Sequence, residues 1–594
     1  MCGLFGLVAQ NSTSSEAQQS MIKVIAFRGP DGSEILDLSS EGGPILGHTR
    51  LSIIGGESAA QPMWAKNGRF CITFNGEIYN FEQLGLDFGI DTEGSDTRLL
   101  IELWNLMGAH SINLLRGQWA FSIWDSWEKV SYLVTDQFGI LPLYIHIQQN
   151  SICWASSVRV FKAAGLPLTP SSSNLADYMG LRYHFAPKTS FSQVSKIPPG
   201  TLVTVSSDFR TSFELWAHDE AETLRPKPVS TKELARTIEQ SIELSLRADR
   251  EVGIFLSGGV DSAVIASVAS AKADTRVKAY TAHWTADELQ SELKDALESC
   301  EHLNIQIVPV EITPSDWWRA LEEGAEFRDS PSAEIADPVV YLLSERASKD
   351  LKVVLSGEGA DELFLGYPKY ALENLISNPF ARPFVYLALK LMVIIRPESP
   401  RLERINLALH SDSKTSRWDL YFSTLPAARA NKKSIQKSKI LGDTRRQQLR
   451  DFQGYLPNVL LERADRNGMA NALEIRPSML NRDLFTKAMR LNPSKQTRLL
   501  KTKIDYRKAA ELIVGKSIAF RKSRGFPIPL SQWIRKDLKS EFEVVLRLES
   551  HTLDSVASPE TRVLCLQEHL SGKRDHALLL FTWVSYLIWE SQWT

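Results

Sequence analysis

Short apolar segments separated by Gly, Asn and Asp turns dominate the first third of the chain. Phe70–Asn75 (FCITFN), Gln118–Asp125 (QWAFSIWD) and Ser131–Asp136 (SYLVTD) are examples. Runs of this length and composition between turn residues predict strands. Ser95–Gly108 (SDTRLLIELWNLMG) breaks the rhythm, with apolar residues at helical spacing behind Ser95, whose hydroxyl suits an N-cap. Residues 1–205 are therefore expected to form a layered α/β domain dominated by sheet. Residues 206–230 are polar and contain proline, the pattern of a linker. From residue 231 strands and helices alternate: a helix over Thr231–Leu246, a strand over Glu251–Leu256, a glycine turn, a helix over Ser262–Ala271 and a strand over Val277–Trp284. That alternation predicts a parallel, doubly wound sheet. Beyond about residue 370 the pattern is mostly helical, and no repeat of fixed period stands out.

Two apolar stretches bear on membranes. Phe384–Ile395 (FVYLALKLMVII) has 12 residues and is interrupted by Lys390. A spanning helix needs ~20 residues, so a buried or interfacial helix is expected. Ala577–Trp589 (ALLLFTWVSYLIW) is expected to be a core helix that closes the second half.

The chain has 594 residues, enough for several domains. Its 43% apolar and 23% charged residues are the balance of a soluble globular protein. A net charge of −2 gives no reason to expect a nucleic-acid partner. The five cysteines, Cys2, Cys71, Cys153, Cys300 and Cys565, are far apart and form no CxxC. They point to a reducing compartment and away from structural zinc. No basic region followed by an apolar run opens the chain, so a secretory signal is not expected and a cytoplasmic location is.

Three features carry chemistry. The first is Cys2, directly after the initiator methionine in MCGLFG. Removal of Met1, which a small second residue permits, would leave a thiol and a free α-amine on one residue. Such an amine titrates near pH ~8 and can take the thiol proton directly or through a water. The second is Val252–Ser270 (VGIFLSGGVDSAVIASVAS), where an apolar strand runs into Ser257, Gly258 and Gly259 and a helix starts near Ser262. Backbone N–H groups at such a turn favour an anion. Asp261 in the same turn would repel phosphate unless a cation lies between them, which suggests Mg²⁺–pyrophosphate. No lysine follows in the manner of a GxxxxGK[ST] loop. The third is Lys352–Phe364 (KVVLSGEGADELF), in which Glu358, Asp361 and Glu362 gather at the end of a strand. That is the end at which open α/β sheets bind ligands, so a metal–nucleotide site with a general base is one reading and a solvated acidic loop the other.

Together Cys2, SGGVDS and SGEGADE resemble the glutamine-dependent asparagine synthetase family, over nearly the whole chain. The resemblance implies an N-terminal-nucleophile glutaminase of layered αββα fold over residues 1–205. A linker over 206–230 would follow, and then an ATP-pyrophosphatase-type synthetase domain over 231–594. Arg28–Asp31 (RGPD), His48–Ile53 (HTRLSI), Gln61–Pro62, Asn75–Asn80 (NGEIYN) and Gly94–Asp96 match family motifs in order. The resemblance makes Cys2 the nucleophile and assigns the oxyanion to the Asn75 side chain and the Gly76 N–H. It pairs Arg50 with the glutamine carboxylate, and Glu77 and Asp96 with its α-amine. In the second half it assigns Mg²⁺ to Asp261 and Asp361 and the pyrophosphate end of ATP to Ser257, Gly258, Gly259 and Ser262. Leu256, Ser356 and Gly357 also contact ATP in this assignment. Glu358 is the candidate base or orienting acid, and Lys503 offsets charge on the phosphates and acyl-adenylate. Asp465–Arg476 (DRNGMANALEIR) matches the family's DR-x-x-M-A-x-x-x-E-x-R helix, and Phe520–Ile534 its closing segment.

The implied reaction uses glutamine, ATP, Mg²⁺ and a carboxylic acid. The acid is aspartate or, as alternatives, a sugar acid or a secondary-metabolite or peptide carboxylate. A non-catalytic regulatory homologue is the third class, which the presence of Cys2, Asp261, Glu358, Asp361 and Lys503 opposes. A homodimer stays open. The acceptor region departs from the family: Glu334 stands where Asp is usual, and Ile335, Ala336 and Asp337 stand where Ser-Ser-Ala is usual. New carboxylates at Glu334 and Asp337, if they face the acceptor, would repel the α-carboxylate of aspartate. Leu365 replaces a glycine, Asn481 an aspartate, Thr135 and Leu141 basic residues, and Ser157 a glutamate.

Overall fold

A computed structural model describes residues 1–217, 226–272, 276–284, 290–332, 334–395, 402, 405–406, 443–498, 501–522 and 528–593. The first half contains twelve strands among the described residues: β1 (Gly3–Ala9), β2 (Gly32–Asp37), β3 (Ile45–Arg50), β4 (Met63–Trp64), β5 (Phe70–Ile78), β6 (Gly117–Asp125), β7 (Val130–Thr135), β8 (Tyr144–Gln148), β9 (Ser151–Ala155), β10 (Val194–Lys196), β11 (Thr201–Ser206) and β12 (Thr211–Leu215). They form two six-stranded sheets, in the orders β10-β8-β9-β1-β3-β2 and β12-β11-β7-β6-β5-β4. The observed pairings are antiparallel. Every residue of β5 is buried, because one face meets the other sheet and the other meets the helix Asp96–Met107. The Ser95 hydroxyl caps that helix by accepting from the Arg98 N–H. Its Leu99, Leu100, Leu103 and Trp104 enter the core. Burial on both sides explains why FCITFN is an apolar run instead of a clean alternation.

The stretch expected to be a linker begins as sheet. β12 folds back on β11 through a turn with Phe209 at φ 62°. β12 is an edge strand with most of its side chains exposed. An edge strand wetted on both faces has the polar composition of a linker, and this is why the two were not separable in sequence. Residues 218–225 of the expected linker lie outside the described residues.

The second half contains β13 (Val252–Phe255), β14 (Lys278–His283), β15 (Gln306–Glu311), β16 (Val353–Ser356) and β17 (Glu474–Pro477), a parallel sheet in the order β15-β14-β13-β16-β17. The chain runs from β13 outward to β15, then returns to the other side of β13 as β16. The order therefore reverses between β13 and β16, which is where doubly wound sheets bind ligands. SGGVDS and SGEGADE leave the C-terminal ends of these two neighbouring strands. The expected DRNGMANALEIR helix is two elements: a helix over Leu461–Met469, then strand β17. Ala472 adopts φ 51° between them, and Leu473 and Ile475 enter the core.

The helix Ala577–Ser591 is buried from Leu580 to Glu590 and closes the second half as expected. The helix Arg382–Ile395 has no buried residue, with Phe384 and Ile394 each 74% exposed. Among the described residues no helix is long and apolar enough to cross a membrane.

Candidate active sites

Cys2 enters β1 and is buried. Its N–H donates to Asn75 Oδ1 at 2.7 Å, and its carbonyl accepts from Arg28 Nε at 3.1 Å. With Oδ1 committed, the Asn75 amide nitrogen is buried and has no hydrogen-bond partner. A buried donor without a partner is costly, and this one belongs to the amide whose oxygen holds the Cys2 N–H. At Gly76 (φ 149°) a Cβ would sit 2.2 Å from the Gln118 carbonyl. The sequence NG is thus fixed by a close approach of β6, not by a hairpin turn. Burial pushes the Cys2 thiol up, while the α-amine ahead of it and a backbone hydrogen bond at Leu51 pull the other way.

Glu77 and a residue that the sequence motifs left without a role, Glu474, are close enough for their charges to act on this thiol, and the charge of Asp96 acts on Glu77. Burial raises Asp96 to about 6 against the pull of backbone hydrogen bonds, including Ile78 N–H at 3.0 Å. Burial and the charges of Asp96 and Glu474 raise Glu77 well above the usual carboxylate range, and Glu77 Oε2 has no partner. Glu474, on β17 of the other half, accepts from the Met1 α-amine at 2.5 Å, Arg476 Nε at 2.6 Å and Gln118 Nε2 at 3.1 Å. Arg50 is half-buried at the end of β3 and donates to the Ile54 carbonyl at 3.1 Å. The arrangement is a buried thiol, an unpaired amide donor, an arginine and a carboxylate cluster. Its groups carry the charges that complement an amino acid's ammonium and carboxylate ends, and a donor of the kind that receives an oxyanion.

The second centre is a cavity of about 340 Å³ at the β13/β16 reversal. Leu256, Ser257, Gly258, Gly259, Asp261, Ser262, Ser356, Gly357, Glu358 and Asp361 all line it. The turn is held by its own serines: Ser257 N–H donates to Ser262 Oγ at 3.1 Å and Gly259 N–H to Ser257 Oγ at 3.2 Å. Lys503 bridges the two strand ends, with Nζ 2.7 Å from both Asp261 and Asp361. Burial alone would lower the Lys503 ammonium, but the two aspartates hold it above its ordinary value. Gly366 is required here, since a Cβ would lie 1.7 Å from Asp361 Oδ1. The neighbouring Leu365 keeps the left-handed conformation (φ 56°) that the family's glycine would favour. Asp261 Oδ1 is buried without a partner. Two neighbouring carboxylates with a free oxygen suit Mg²⁺, which takes one or two carboxylates and fills its shell with phosphate and water.

Glu362, Tyr367 and Arg463 also line this cavity. Glu362 is fully buried; Oε1 accepts from the Tyr367 hydroxyl at 2.7 Å and Oε2 has no partner. Arg463 lies 3.5 Å from Glu358. Its signal in sequence was its place two residues ahead of the DR motif.

The two carboxylates expected at the acceptor do not line the cavity; only Ala336 between them does. Asp337 is buried and pairs with Arg328 at 2.7 Å and with the Ser332 hydroxyl. Glu334 pairs with Arg182 at 3.4 Å and accepts from the Tyr455 hydroxyl at 3.1 Å. Other departures are also accommodated locally. Asn481 caps the helix Arg482–Arg490, Thr135 donates to the Pro198 carbonyl, and Ser157 donates to Asp329 at 2.8 Å. Of the expected closing segment, residues 523–527 lie outside the described residues.

Residues 233–591 match the asparagine synthase family, and residues 1–216 match the glutamine amidotransferase domain. Asparagine synthetase [glutamine-hydrolyzing] 1 of Bacillus subtilis is 30% identical over 628 aligned positions, which cover 100% of this chain and 96% of that protein. Asparagine synthetase B [glutamine-hydrolyzing] of Escherichia coli is 27% identical over 390 positions, 62% of this chain and 65% of that protein. Amidase chyE of Penicillium rubens is 25% identical over 416 positions, 64% of this chain and 61% of that protein.

Proposed function

We propose, for a chain that belongs to the asparagine synthase family and carries a glutamine amidotransferase domain, that the acceptor is aspartate and the product asparagine. The protein is a carbon–nitrogen ligase with glutamine as amide donor, and ATP use comes with the family. In the reading we favour, Met1 is removed and the Cys2 thiolate attacks the glutamine carboxamide. The Asn75 amide and the Gly76 N–H receive the oxyanion, ammonia leaves, and water releases glutamate from the thioester. Arg50 holds the glutamine carboxylate, and Glu77 and Asp96 its ammonium. The observation that carries this half is the Asn75 amide nitrogen, buried and unpaired on the side chain that holds the Cys2 N–H.

At the second centre the acceptor carboxylate attacks the α-phosphate of ATP and expels pyrophosphate. The SGGVDS turn holds the phosphates, and Lys503 offsets the charge that grows on them. Asp261 and Asp361 would hold Mg²⁺, which when bound supplies further positive charge to the phosphates. Ammonia then adds to the acyl carbon and AMP leaves. Glu358 orients or deprotonates the incoming nitrogen. We divide the chain accordingly into a glutaminase unit that ends near residue 217 and a synthetase unit from about residue 231.

Two observations favour aspartate. Glu334 and Asp337 are both matched by arginines, so neither places an uncompensated negative charge against an α-carboxylate. Glu362 offers a buried, unpartnered carboxyl oxygen at the cavity wall, which can accept from an α-ammonium. The similarity to an amidase keeps a second reading alive, amidation of another carboxylic acid. The test is pyrophosphate release with ATP, Mg²⁺ and glutamine across a panel of aspartate, succinate, glutamate and a sugar acid. Release that depends on aspartate supports the proposal. Glutamine hydrolysis with pyrophosphate release on another acid alone would refute aspartate and keep the amidotransferase.

A further inference from the structure

We propose that Asp465, a residue of the synthetase half, is a positioning residue for the glutaminase nucleophile. The inference rests on the reading of Cys2 given above. Once Met1 is gone, Cys2 is held to the chain on one side only. Its thiol direction then depends on what grips its own backbone. Two grips are visible: Asn75 Oδ1 on the nitrogen at 2.7 Å and Arg28 Nε on the carbonyl at 3.1 Å.

Arg28 is fully buried, and its remaining fork is taken up by one carboxylate 437 residues further along the chain. Nη1 donates to Asp465 Oδ2 at 2.9 Å and Nη2 to Asp465 Oδ1 at 2.7 Å. A bidentate pair of this kind fixes the plane of the guanidinium as well as its position. Nε lies in that plane, so the carboxylate that grips the fork also aims Nε at the Cys2 carbonyl. Without Asp465 a buried guanidinium would lose its closest counter-charge and shift to find another. Asp465 itself is 2% exposed. It sits on the helix Leu461–Met469, which also carries Arg463 to within 3.5 Å of Glu358 in the nucleotide cavity. One rigid helix thus reaches both centres. A glutaminase unit folded alone would lack a grip on its nucleophile.

The experiment compares Asp465→Asn with the wild type in the full-length, processed protein. Asn keeps the shape but presents an N–H₂ group to one arm of the guanidinium fork. Misplacement of a reacting group by ~1 Å costs about 100-fold, so kcat for glutamine hydrolysis should fall by roughly that factor. KM for glutamine should move by less than about threefold, because Arg50, Glu77 and Asp96 are untouched. Ammonia-dependent amide synthesis and acid-dependent ATP–pyrophosphate exchange should stay within about twofold of wild type. Arg28→Lys, which cannot grip Asp465 in a fork and reach the Cys2 carbonyl together, should reproduce the same split. Asp465→Glu should recover part of the lost kcat. Hydrolysis unchanged in Asp465→Asn, or hydrolysis and ammonia-dependent synthesis falling in step, would overturn the proposal alone. A wild-type protein that hydrolyses no glutamine would overturn the reading of Cys2 and the proposal with it.

Discussion

Replacing Asn75 by Ala separates the chemistry of the thiol from the binding of its substrate. Asn75 does two things through one amide. Its oxygen anchors the Cys2 N–H at 2.7 Å, and its nitrogen is buried with no partner. Loss of one oxyanion donor costs about 2.7–4 kcal/mol, a 100- to 1,000-fold fall in kcat. Loss of the anchor adds about 1 kcal/mol, a further factor of roughly 5. Some catalysis should survive, because the Gly76 N–H remains. The glutamine KM should change by less than about fivefold, since the donor acts on charge that develops only at the oxyanion. Synthesis from added ammonia should be unaffected. The assay is steady-state glutamate release at saturating glutamine, with ammonia-dependent amide formation as the internal control. A fall in kcat of less than about tenfold would mean that the unpaired nitrogen does not face the oxyanion, and that the assignment of the Asn75 amide is wrong.

Three further outcomes follow from the same geometry. Asp96 titrates at about 6 because it is buried. The glutamine KM should therefore rise about fivefold between pH 6 and pH 5 as the carboxyl gains a proton and loses its hold on an ammonium; a flat KM over that range would remove Asp96 from the binding site. The sign for folding is the reverse. The raised carboxyl contributes stability that is fully present below its ordinary 3.8 and lost as pH rises through about 6, readable as the pH dependence of Tm for Asp96→Asn against wild type. Lys503→Met should reduce ATP–pyrophosphate exchange about 100- to 1,000-fold. Arg50→Lys should raise the glutamine KM at least tenfold at nearly constant kcat, as a fork is exchanged for a point charge, and an unchanged KM would exclude Arg50 from the carboxylate site.

Much of this was legible in the chain because the chemistry is local in sequence. SGGVDS and SGEGADE each carry their own strand end, turn and helix start, and burial of the parallel strands makes the apolar runs plain. Asn75 and Gly76 were legible as a motif, although the reason for the glycine is a close approach of β6 that no local pattern reveals. What escaped was long-range. Glu474 approaches the N-terminus across 473 residues, and Arg28 meets Asp465 across 437. Both pairings are set by the docking of one half on the other. β12 escaped for a different reason, since an exposed edge strand has no buried face to imprint a pattern. The neutralisation of the acceptor carboxylates is not visible in their motif either, because Arg328 and Arg182, which pair with Asp337 and Glu334, stand outside it.

That pairing changes where acceptor selectivity is to be sought. A carboxylate repels a substrate only if its charge is uncompensated and faces the substrate. Asp337 fails on both counts: it is 2% exposed, paired with Arg328 and absent from the cavity wall. Arg328 also donates to Asn467 at 2.8 Å, so Asp337 belongs to the packing between the acceptor segment and the helix Leu461–Met469. The residues of this region that line the cavity are Ala336, Val339, Val340 and Leu343, which are apolar, while Glu358, Glu362 and Arg463 line it from the strand end and the helices. The acceptor segment's share of the lining is therefore apolar, and the polar lining comes from other elements, with Tyr280, Asp295 and Lys522 besides those three. An acceptor carrying hydroxyls around its whole length would leave those that reach Ala336, Val339 and Val340 without partners, at roughly 1–3 kcal/mol each. By this arithmetic a compact amino dicarboxylic acid is preferred to a sugar acid by at least about tenfold. The substitutions that should move the preference are those that add a hydroxyl to the apolar wall, Ala336→Ser and Val339→Thr. Asp337→Ala should lower stability instead, by unpairing Arg328, and leave the order of acceptors unchanged.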